Sequence, residues 1–196
     1  MPSAEGLVFV ETIEPTWDNA KAIQRLTLQD VYAGGFNQPL ELANPDDDQK
    51  VALQQQKLRD HPERYSGYTL NGTLVAYMKQ NKWLIGDELP FVTPRLKAHL
   101  LRLMAKIRRT SETGQWGVFG LVASDELDRY QRRDALENLL KHSFRGNLRT
   151  VNIVIHANDP VLPSALHFGF VAVGKFAEAA GASGLKQRRY QRTVSK

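Results

Sequence analysis

The chain has 196 residues, 42% of them hydrophobic and 24% charged, a composition that excludes a disordered or fibrous protein and predicts one well-cored domain over residues 1–196. The absence of cysteine excludes disulfides, thiolate metal sites and a thiol nucleophile, and the five histidines show no ligand spacing, so no metal is expected. The net charge of +5 is regional: residues 89–111 hold six Lys/Arg and no acid, residues 185–196 hold five and no acid, and the remainder is net acidic. Such an excess suits an anionic ligand such as a nucleotide cofactor, an acidic partner or nucleic acid, or serves solubility alone. No apolar run approaches the ~18 residues of a membrane span, and the start lacks the basic and apolar regions of a signal peptide, so a cytoplasmic location is expected.

Residues Leu7 to Ile13 alternate as a first strand. Trp17 or Asp18 then opens a helix carrying Ala20, Ile23, Leu26 and Val31, which stops at Gly34-Gly35. Residues 36–45 read as a loop and 46–60 as a second helix, ended by His61-Pro62. The Asp46-Asp47-Asp48 run invites a metal reading, but consecutive helical residues fan out by about 100° and cannot converge on one ion; complementing the positive helix end explains the run better. Tyr65 to Leu70 and Thr73 to Gln80 are strands joined by Asn71-Gly72, the dipeptide of a type I′ hairpin.

Residues 83–92 read as loop, and Thr93-Pro94 opens a helix through Arg109. Leu96, Leu100, Leu103, Met104 and Ile107 form its apolar stripe, flanked by Arg95, Arg102, Lys106 and Arg109 as either a solvated face or an anion or nucleic-acid contact. Trp116 to Ala123 is the fourth strand; glycines inside it, at 117 and 120, mark a bulge or a close approach to the backbone.

The next helix buries Ala135, Leu136, Leu139, Leu140 and Phe144 and ends at Gly146. Projected backwards, its apolar face meets Arg133, Arg132 and Arg129, which cannot be buried unpaired, so a start near residues 132–134 is predicted, with 124–131 as loop. The arginines then gather at a helix N-terminus, either as an anion site or paired with Asp125, Glu126, Asp128 and Asp134. Thr150 to His156 forms a strand, Asp159-Pro160 opens a short helix ending before Gly169, and residues 170–176 and 185–194 are the last two strands.

Asn158 after the fifth strand, Gly169-Phe170 eleven residues on, and Gly174 in the following strand resemble the second half of the GNAT superfamily of acetyl-CoA-dependent N-acetyltransferases. The resemblance covers most of the chain, with motif support from about Val118 to Gly174. It implies an α+β fold whose mixed, mostly antiparallel seven-stranded sheet is flanked by helices, the basic helix being an addition between the third and fourth strands. It further implies acetyl-CoA as co-substrate, in a slot between splayed fourth and fifth strands. Asn158 would contact it, and the backbones of Leu121 and Val122 would bond its pantetheine arm like an added strand.

Two positions depart from the family pattern. The glycine-rich pyrophosphate loop should fall at residues 128–132, which read Asp128-Arg129-Tyr130-Gln131-Arg132, so Arg129, Gln131, Arg132 and Arg133 would have to hold the phosphates. Ala165 stands where many members carry the tyrosine that protonates the leaving thiolate, a role left to His167, Ser164 or Tyr190. His156, at the end of the fifth strand, is the candidate general base.

The expected activity is acetyl transfer to the primary amine of a small molecule or peptide. The Asp46–Asp48 region would favour a cationic amine. The alternatives are a GNAT-fold binding protein without cofactor, or an aminoacyl-tRNA-dependent transferase using the basic helix as its nucleic-acid contact. A homodimer is compatible with either class, and no membrane association is expected.

Overall fold

The computed structural model describes residues 6–32, 43–84, 112–144, 150–157, 159, 161–178 and 186–194; the basic helix predicted over 94–109 and Asn158 lie outside them. Seven strands form one sheet in the order β1-β2-β3-β4-β5-β7-β6. They are β1 (Leu7–Val10), β2 (Tyr65–Leu70), β3 (Thr73–Leu84), β4 (Glu112–Ala123), β5 (Thr150–His156), β6 (Val171–Glu178) and β7 (Lys186–Thr193). Every neighbouring pair is antiparallel except β4 and β5. The helices are α1 (Trp17–Tyr32), α2 (Asp48–Asp60), α3 (Arg129–His142) and α4 (Leu162–His167).

Two buried clusters use opposite faces of the sheet. Ile13, Ala20, Ile23, Leu26, Val51 and Leu58 meet Tyr65, Leu74, Tyr77 and Val122 under α1 and α2. On the other face Ala135, Leu136, Leu139 and Leu140 of α3 and Ala165 of α4 meet Val118, Leu121, Val151, Ile153, Ile155, Phe170 and Tyr190. A fully buried Leu or Phe contributes roughly 1.5–3 kcal/mol, so these faces, rather than intrinsic propensity, hold the helices.

Among the described residues the predicted elements are present with shifted ends. In the hairpin both turn residues take positive φ, Asn71 at 52° and Gly72 at 81°, as a type I′ turn requires. The β3 strand runs to Leu84, beyond the predicted Gln80, because β4 is also longer and pairs with it through Leu84↔Glu112. The helix α2 starts at Asp48 because Asp47 Oδ1 accepts from Gln49 N at 3.0 Å and Lys50 N at 3.3 Å, making Asp47 the cap. No metal-ligand grouping occurs among the described residues.

The larger correction concerns α3, which begins at Arg129 and not near 132–134. Asp128 Oδ1 accepts from Tyr130 N at 2.7 Å and Gln131 N at 2.9 Å, while Gln131 Oε1 accepts from Asp128 N at 3.3 Å, a reciprocal capping box. The wheel argument failed because the first turn reaches past the core, so its arginines end in solvent and in ion pairs. The α4 helix, by contrast, starts later than predicted, at Leu162, after Asp159 Oδ1 accepts from Val161 N at 2.7 Å. Gly117 owes its small size to the chain itself: a Cβ there would lie 2.5 Å from the Trp83 ring.

Candidate functional site

The parallel pairing of β4 with β5 covers three residue pairs, Trp116↔Val151, Gly117↔Asn152 and Val118↔Ile153, and then stops. At that point β4 is bulged: Lys79 of β3 faces Gly120 and Gln80 faces Val118, leaving Phe119 unmatched. A bulge bends and twists its strand, and beyond it β4 continues to Ala123 while β5 stays with β7 through His156↔Gln187. The β5-facing edge of β4 from Phe119 to Ala123 thus has no strand partner on that side among the described residues, the kind of edge to which an extended ligand can add. Leu121 and Val122, the two positions expected to offer their backbone to a ligand, send their side chains into the two opposite cores.

Past the end of β4 lies a cleft of about 620 Å³ lined by Arg129, Tyr130, Arg132, Arg133, Ser164 and His167, among others. The fold has therefore brought together three of the predicted arginines and His167. Arg132 Nη1 lies 2.6 Å from Asp125 Oδ1 and Arg133 Nε lies 2.8 Å from Glu137 Oε1, whereas Arg129 is exposed and has no ion pair among the described residues. Gln131 spends its Oε1 on the helix cap. The N–H groups of Tyr130 and Gln131, which a glycine loop would leave for phosphate, are met by the Asp128 carboxylate.

His156 is 2% exposed at the end of β5, and burial lowers its pKa, a shift the Lys186 backbone partly offsets. It is therefore neutral at pH 7, and neither ring nitrogen has a hydrogen-bond partner of good geometry among the described residues. Ala165 is fully buried against the α3 core and Tyr190 sits in the same core, while Ser164 and the exposed His167 line the cleft. Sequence reading took Asp159 only as a helix opener. Its carboxyl is 3% exposed and burial raises its pKa to about 6, opposed by the Val161 N–H and the charge of Arg132. A lone Asp before Pro carries no signal of that burial.

A second cavity, of about 430 Å³, lies on the opposite face of the sheet between α1, α2 and the β2-β3 strands. Lys50, Lys57 and Lys79 line it with Gln54, Tyr65 and Tyr77. It was not predicted, although Lys50, Gln54 and Lys57 fall at the i, i+4, i+7 spacing of one helix face.

No protein-family model and no curated relative matches the chain. Among solved structures, yncA from Salmonella typhimurium, determined with its cofactor acetyl-CoA, aligns at a TM-score of 0.62 and 11% identity over 97% of this chain and 95% of that one. An acetyltransferase of the GNAT family from Streptococcus pneumoniae aligns at 0.60 and 13% over 96% of this chain and 99% of that chain. The microcin C7 self-immunity acetyltransferase MccE, in complex with acetyl-CoA and AMP, aligns at 0.59 and 13% over 97% and 93%. Strand order, the splay after Val118 and these alignments together show that the chain has the GNAT fold.

Proposed function

We propose that the protein is an acyl-CoA-dependent N-acyltransferase that moves an acetyl group from acetyl-CoA to a primary amine by direct transfer. The observation that carries this reading is the β4 edge from Phe119 to Ala123, left without a β5 partner, together with the arginine-lined cleft at the start of α3. A pantetheine arm would add to that edge through the backbones of Leu121 and Val122. Arg129, Arg132 and Arg133 would meet the phosphates, and Asn158 would contact the cofactor beside the slot. Acetyl-CoA supplies the acyl thioester. As the C–N bond forms and the C–S bond breaks, the amine gives up a proton and the departing thiolate gains one. His156, neutral at pH 7, is the candidate to take the first, and His167 or Ser164 to give the second.

The test is calorimetric titration with acetyl-CoA and CoA. Micromolar binding, weakened roughly tenfold by Arg129→Ala together with Arg132→Ala, is expected; no binding at millimolar ligand overturns the reading. One observation favours a second reading, a GNAT-fold binding protein that has given up the cofactor: the Asp128 carboxylate occupies the helix end where phosphate would bind. On that reading neither ligand binds.

A further inference from the structure

The 430 Å³ cavity under α1 and α2 collects lysines from a helix and a strand. Lys50 and Lys57 reach it from α2 and Lys79 from β3, and no Asp or Glu is among the described residues that line it. The half-buried Lys79 stands 6.0 Å from the centre of the Tyr65 ring, and desolvation, then the nearby Lys57 and Arg64, lower its pKa. A cation held in partial burial beside like charges is costly unless something offsets it.

Neutral donors point the same way. Gln54 is 7% exposed and meets the Tyr65 hydroxyl, yet its buried Nε2 finds no hydrogen-bond partner of good geometry among the described residues. Deeper in, Thr27 Oγ1 donates to Ile23 O at 2.7 Å and lies 2.6 Å from the Tyr77 hydroxyl, which fixes that wall. The cavity is thus a partly enclosed chamber with donors from two helices and two strands.

We propose that this chamber binds the anionic group, a carboxylate or a phosphoryl group, of a small molecule, with Lys57, Lys79 and the Gln54 amide as its direct contacts. Its floor adjoins the stretch of β4 that lacks a β5 partner: Gly120, two residues past the last β4–β5 pair, is so close to Tyr77 that a Cβ would lie 3.2 Å from that ring, and Lys79 pairs with Gly120. On the transferase reading the anion is therefore borne by the acceptor, which would be an amine that also carries negative charge. The site itself stands on the cavity and does not need that reading. The carboxylates at Asp46–Asp48 do not line the chamber, and Asp47 is engaged as the α2 cap.

The experiment is titration of the full-length protein, without CoA, with inorganic phosphate and separately with succinate, at constant low ionic strength, read by calorimetry and by melting temperature. Saturable binding of one or both is expected, and which of them binds tells a phosphorylated ligand from a carboxylate. Lys57→Gln with Lys79→Gln should weaken binding about tenfold or more, while Lys141→Gln, a single charge removed from α3, should leave it unchanged. Lys79→Gln alone should melt no lower than the parent and lose the anion-induced rise in melting temperature, which separates lost binding from lost folding. Absence of saturable binding by either anion, or equal weakening by Lys141→Gln, overturns the proposal. Because CoA is absent, its failure leaves the cofactor titration free to succeed, and the reverse.

Discussion

Asp159 shows how a single position couples folding to chemistry. Its carboxyl titrates near 6, against 3.8 for the free group, because burial disfavours the charge more than Val161 N–H and Arg132 favour it. The folded state therefore binds the proton more tightly than the unfolded chain. The stabilisation this brings is fully present below about pH 3.8 and is lost as pH rises through about 6. Asp159→Asn keeps the Oδ1 acceptor for Val161 and removes the charge. The variant should flatten the pH dependence of urea unfolding between about pH 4 and 7, where this group contributes a fall of up to about 3 kcal/mol. An unchanged pH profile would show that the carboxyl is solvated. At the same scale Ala165 and Tyr190 are core positions, which leaves Ser164 and His167 as the cleft-lining candidates for protonating the thiolate.

At the scale of elements, the transferase reading turns on the first turn of α3, where the phosphates of the co-substrate would meet the helix end. The Asp128 carboxylate caps it, at 2.7 and 2.9 Å from two backbone nitrogens, and brings a negative charge to a cleft otherwise lined with arginine. Asp128→Ala should lower stability by about 1 kcal/mol through the lost cap. On the transferase reading it should also tighten CoA binding by roughly threefold or more, since it frees two N–H donors and removes a repulsion. Melting temperature and calorimetric affinity moving in opposite directions is the expected signature; both falling together would show that the cap shapes the site. The residues of this box stand in the sequence as Asp128 and Gln131 three apart, a signal the reading from buried arginines did not use, so it placed the helix start too late.

For the molecule as a whole, the sheet is one continuous layer with a single parallel seam, and the seam opens at Val118. An arm that adds to β4 should slow amide exchange within residues 119–123 on saturation with CoA, with little change along β1 and β2. Hydrogen exchange by mass spectrometry reads this directly, and uniform protection of the whole sheet would indicate stabilisation without strand addition. The two cavities lie on opposite faces of that sheet, the arginine cleft with α3 and α4 and the lysine chamber with α1 and α2. On the transferase reading, donor and acceptor would approach the sheet from its two faces.

The sequence by itself determined the elements and their order, because a strand's alternation, a helix's apolar face, the Asn71-Gly72 turn and the Gly169-Phe170 pair are local patterns dictated by backbone geometry. It also determined that no glycine cradle could exist at 128–132. Only the tertiary structure decided where the seam opens, because that depends on the Phe119 bulge and on β5 staying with β7 along its whole length. Nor could the sequence show that Lys79 joins Lys50 and Lys57, that Asp159 is buried, or that Gly117 answers to Trp83, since these are contacts across long separations in the chain, fixed by how faces pack and invisible to any local pattern.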